Sequence, residues 1–106
     1  MVKHVFIPQS GFHISFEHGA KIDWNHARSI INCDMIEIAQ ARWDGKNYVM
    51  LCDEEASYTA KKENLKATNA YHDYWMWYNR ENPHDARSEA DILRRKITGH
   101  VILHEE

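Results

Sequence analysis

"DMIEIAQARWDGKNYVMLCD", residues 34–53, is the stretch whose reading decides the fold. At its centre Asp44-Gly45 separates two runs rich in Ile, Val, Tyr and Trp. That is the signal of a two-residue hairpin, because a type I′ turn needs positive φ at both central positions. The turn sets the register. Ile38 is expected opposite Leu51 and Gln40 opposite Val49, with Ile36 on the same side; Ala39, Ala41, Trp43, Tyr48, Met50 and Cys52 take the other. Neither face is strongly polar. Such a hairpin is expected to lie centrally in its sheet, or to turn its second face to a partner or ligand.

Working outward, "KHVFIPQSGFHISFE" reads as two strands around a turn. Phe12, Ile14 and Phe16 alternate with His13, Ser15 and Glu17, and Pro8 to Gly11 supply turn chemistry. "IDWNHARSIIN" reads as a short helix capped by Asp23, with Trp24, Ala27, Ile30 and Ile31 at helical spacing. Downstream, "EEASYTAKKENLKATNA" is polar and weakly periodic, a loop or a loop leading into a helix. In "YHDYWMWYNR", Tyr71, Tyr74, Trp75 and Tyr78 form one helical stripe with Trp77 at its margin, and Asn82-Pro83 should stop that helix. "DARSEADILRRK" reads as another helix with Ala86, Ala90 and Leu93 on one face, and "KITGHVIL" as a final strand. The order predicts an α+β domain: a mainly antiparallel sheet of about five strands with two or three helices packed on it.

The 106 residues suit one domain spanning 1–106. With 43% apolar and 27% charged residues the chain is globular in composition. A net charge of -3 points away from long nucleic acid as a general partner. No secretory apolar region follows Met1 and no apolar run reaches membrane-spanning length, so a cytoplasmic protein with reduced Cys33 and Cys52 is expected.

Five of the chain's twelve Trp, Tyr and Phe residues crowd into residues 71–80. As a plain core helix the run would be served more simply by Leu, Ile and Val. As a ligand floor, Tyr71, Tyr74, Trp75, Trp77 and Tyr78 would stack on a planar ligand, and Arg80 would close one end on phosphate or carboxylate. Arg94 and Arg95 either complement a helix C-terminus or join Arg80 or Arg87 in a phosphate-binding cluster. The eight histidines are scattered. His100 and His104 stand too far apart on an extended strand to share one zinc, and no HExxH occurs, so no metal and no cofactor is expected. Cys33 and Cys52 lie in apolar strand patterns, which favours inert thiols. No nucleophile elbow or phosphate loop is present, and no catalytic residue is assigned. The acidic runs Asp53-Glu54-Glu55 and Glu105-Glu106 read as a strand end in solvent and a tail.

"EHGAKIDWNHARSIINCDMIEIAQ", "DGKNYVMLCDEEA", "ENLKAT" and "KITGHVIL", taken in order, resemble a small uncharacterised domain family of bacteriophages, plasmids and other mobile elements. The matching residues are Ile36, Glu37, Gly45, Asp53, Glu54, Asn64, Leu65, Ile97 and Gly99. Against that pattern residues 71–95 look like an aromatic-rich helical insertion. The resemblance implies a non-enzymatic accessory binding protein in the host cell cytoplasm, acting in counter-defence. Within that setting the aromatic run favours sequestration of a nucleotide-like signalling ligand, and the second hairpin face favours a homo-oligomer. The rivals are an inhibitor that binds a host protein through the same aromatics, a small histidine-dependent nucleotide phosphodiesterase, and a single-strand binder with steep salt dependence.

Overall fold

The Asp44-Gly45 turn has φ of 51° and 74° at its two residues. It joins β3 (Ile36–Trp43) to β4 (Lys46–Asp53), which pair antiparallel with Ile38 opposite Leu51 and Gln40 opposite Val49, the register the turn dictates. The computed structural model describes residues 2–20, 22–54 and 61–105. Three further strands are β1 (Val2–Ile7), β2 (Ile14–His18) and β5 (Val101–Glu105). All neighbours run antiparallel, in the order β2-β1-β5-β4-β3. The fold is therefore α+β. The hairpin is not central: β4 is interior, but β3 is an edge strand. Its apolar second face is explained instead by helix α2 (Leu65–Glu81), which packs on β3.

Helices cover both faces. On one, Val5, Ile7, Ala41, Tyr48, Met50, Cys52, Val101 and Leu103 form a core with Ala67 and Ala70 of α2. Those two alanines let the helix backbone approach the sheet closely. On the other, Leu51 and Ile102 meet Ala27 and Ile31 of α1 (Trp24–Ile31). Asp23 caps α1, accepting from the His26 amide at 2.9 Å. Asn32 ends it in the left-handed conformation, φ 61°. The sheet also coils: His13, before β2, and Trp43, at the end of edge strand β3, have ring centroids 5.0 Å apart. Right-handed twist brings such diagonal corners together.

Asn64 fastens α2 to the sheet. Its carboxamide oxygen accepts from the Ala67 amide at 3.1 Å. Its Nδ2 donates to the carbonyls of Ile7 at 3.0 Å and Gly99 at 2.9 Å. Its backbone amide donates to Ile97 at 2.8 Å. The polar stretch before the aromatic run is thus helical from Leu65 onward; residues 55–60 of it lie outside those described. The aromatic residues continue this same helix rather than opening a new one.

Three local expectations are corrected. The last helix, α3 (Glu89–Arg94), is shorter than the pattern suggested, because Ser88 caps it and Ala86 is extended. It buries Ile92, while Leu93 stays 54% exposed. The last strand starts at Val101, since Gly99 holds φ 79° and turns the chain. Asp53 does not end its strand in solvent: it is buried and ion-paired with Lys61 at 2.7 Å.

Candidate ligand site on helix α2

The C-terminal half of α2 carries the aromatic run. Tyr71, Tyr74, Trp75, Trp77 and Tyr78 are all half-buried. They pack on one another: Tyr74 lies 5.0 Å from Trp75 and Trp75 5.2 Å from Tyr78, both edge-on, while Tyr74 and Tyr78 stack at 6.2 Å. These are favoured geometries for quadrupolar rings. The run is neither wholly core nor an open floor.

Three of these rings are covered by guanidinium groups. Arg87 stands 3.6 Å from the Trp75 ring centroid, Arg42 4.8 Å from that of Trp77, and Arg95 5.5 Å from that of Tyr71. Each such contact contributes on the order of 0.5–1 kcal/mol at an exposed site. The three arginines differ in what else they hold. Arg95 is ion-paired with Glu37 on β3, and Arg42 donates to Asn47 at 2.7 Å. Arg87 has no acidic partner among the described residues. Its backbone is pinned on both sides by Asn79, whose Oδ1 accepts from the Arg87 amide at 2.9 Å and whose Nδ2 donates to the Arg87 carbonyl at 2.9 Å. Nearby, Tyr78 donates to Asp85 at 2.5 Å. That hydrogen bond holds the Tyr78 phenol above its ordinary pKa.

Comparison with known proteins finds no family model, no curated protein and no solved structure that matches the chain.

Of the residues singled out from sequence, Tyr71 and Arg95 meet. Arg80 is exposed and lines a cavity of about 220 Å³ with Arg42, Asp44, Gly45, Asp73 and Met76. Arg94 is exposed and paired with Asp91 at 3.2 Å. The cation on Trp75 is Arg87, which sequence reasoning weighed only as a cluster member. Arg42 was missed, because its contact with Trp77 depends on how α2 docks on β3.

Cys52 borders a second cavity, about 470 Å³, that also exposes Glu37 and Arg95. Burial, reinforced by Glu37, pushes its thiol up to about 12. That shift favours the protonated, inert thiol at neutral pH. His72 Nε2 is engaged with the Arg95 carbonyl at 2.8 Å. Among the described residues no His, Cys, Asp and Glu group is placed to hold a metal ion, and no helix is long and apolar enough to cross a membrane.

Proposed function

We propose that the chain is a non-enzymatic binding protein that sequesters a nucleotide-like anion at the Trp75–Arg87 corner of α2. One observation carries the reading: a guanidinium held 3.6 Å over an indole with no ion-paired carboxylate among the described residues. Its backbone is fixed by Asn79 and its plane is supported by Trp75, so the ordering cost of binding is largely met beforehand. A guanidinium offers a fork of N–H donors that matches phosphate, and its flat face accepts a base. The ring faces of Tyr71, Trp75 and Trp77 already carry arginines, so the ligand would stack on guanidinium rather than directly on those rings.

The phage or plasmid setting, counter-defence and a cytoplasmic site of action belong to this proposal and rest on the sequence resemblance alone. Self-association belongs to it too, supported by the edge strand β2, where Ile14 is 59% and Phe16 38% exposed. The same exposed side chains, with Phe12 at 91%, favour the second reading, an inhibitor that docks on a host protein.

The test is a titration of mono-, di- and cyclic nucleotides followed by tryptophan fluorescence. Binding is expected for wild type and lost at least tenfold in Arg87→Gln, on the order of the 1.5–3 kcal/mol of a charged hydrogen bond. Equal affinity in Arg87→Gln would remove the reading. Nucleotide recovered intact after long incubation separates sequestration from phosphodiesterase activity.

A further inference from the structure

The opposite face of the sheet carries a second site, independent of the nucleotide reading. His4 of β1 is fully buried, and its Nδ1 lies 3.0 Å from the Val2 carbonyl. A carbonyl only accepts, so Nδ1 carries the proton and Nε2 is left as a lone pair. That Nε2 is buried and has no hydrogen-bond partner among the described residues. Native proteins leave few buried polar atoms unmet, and this one belongs to a side chain that lines a cavity. Burial lowers the His4 pKa, and His104 and His18 push the same way against the Val2 hydrogen bond. The lowered pKa favours the neutral ring, which keeps its acceptor.

His4 lines a cavity of about 220 Å³ with Phe16, His18, Ile22, Asp23, His26 and Ile30. Phe16 lies parallel to the His4 ring, 5.0 Å away and tilted by 5°, so the imidazole is held firmly. The rim is partly spoken for: Asp23 caps α1 through the His26 amide, and His18 Nδ1 lies 2.9 Å from the Ala20 carbonyl. Three imidazoles and a carboxylate invite comparison with a zinc site, but no three donors here are close enough to share an ion. Half of the six other lining side chains, Phe16, Ile22 and Ile30, are apolar. Pockets for drug-sized ligands run to about 300–1,000 Å³, so this one suits a single ring.

We propose that this cavity binds a single-ring aromatic molecule bearing an O–H or N–H donor. The donor bonds His4 Nε2, and the ring packs against the walls formed by Phe16, Ile22 and Ile30. The ligand class follows from one unmet acceptor, apolar walls and small volume.

Phenol and toluene are the probes, since they share a shape and differ by one donor. Titrations of the whole chain are followed by amide and histidine nitrogen NMR. Phenol should shift the signals of His4, Ile22 and Ile30, with toluene bound roughly tenfold more weakly, the worth of one neutral hydrogen bond. His4→Phe keeps the ring and the Phe16 stack but has no acceptor, and should bind the two probes alike. Should that variant fail to fold, Ile30→Trp fills the cavity from α1 and should abolish phenol binding with the rest of the spectrum unchanged. Equal binding of phenol and toluene to wild type overturns the proposal. So does no binding of either up to the solubility of toluene, or Zn²⁺ taking up His4, His18 and His26 in preference to phenol.

Discussion

Tyr48 places its phenolic oxygen inside the core with no hydrogen-bond partner among the described residues. An unmet buried hydroxyl costs about 1–3 kcal/mol, so the ring stays for its apolar surface. Tyr48→Phe is expected to leave urea stability unchanged or raise it by about 1 kcal/mol; a loss of that size would mean the hydroxyl is satisfied after all. His4 makes the opposite kind of statement, through pH. Its folded pKa lies below its ordinary value, chiefly through burial. As pH falls below about 6.5 the unfolded chain takes up a proton that folded His4 refuses, so stability drops on acidification and is unaffected by this group above that range. Urea midpoints measured from neutral to mildly acidic pH should fall in wild type and fall less in His4→Phe. Identical slopes would assign the acid sensitivity to other groups. Neither residue was legible as special in the sequence, where Tyr48 and His4 are ordinary members of strand patterns. An orphaned atom is defined by what fails to surround it, and that needs coordinates.

Among the elements, the hairpin was the most legible, because its turn chemistry and its register are both local. Asp44 and Gly45 adopt positive φ and the pairing follows. Helix α1 was similarly readable from Asp23 and its apolar spacing. The start of α2 was not. Asn64 serves as its cap and also bonds Ile7 and Gly99, which lie 57 and 35 residues away; no local pattern announces such a role. In α3 the alanine pattern misled, since the Ser88 cap fixed the start and turned Ile92 inward. The role of Asn64 has an energetic consequence. Asn64→Ala removes the cap, about 1 kcal/mol, and strands two buried carbonyls at about 1–3 kcal/mol each. A loss of about 3–7 kcal/mol is expected by urea denaturation, whereas an exposed neighbour such as Lys62→Ala should change little. A small effect at Asn64 would show that β1, α2 and the β5 approach are tied by something else. Ile97 and Gly99 are its backbone partners, so these three residues together hold that part of the fold.

At the scale of the molecule, the fold class was legible and the strand order was not, since β5 inserts between β1 and β4 through pairings remote in sequence. The candidate site was half legible. The aromatic run announced itself, but which cations close on it depended on the docking of α2 and the path of residues 82–88. That path delivers Arg87 to Trp75 while Arg80 points its chemistry to the Asp44 and Asp73 side. The two proposed sites lie on opposite faces of one sheet, so loss of one should leave the other intact. The most direct test of the central claim is native mass spectrometry of wild type and Arg87→Gln purified from cells. A retained nucleotide-sized adduct on wild type, absent from Arg87→Gln, is the predicted result. A ligand-free mass for both proteins, or an adduct that survives in Arg87→Gln, would contradict it.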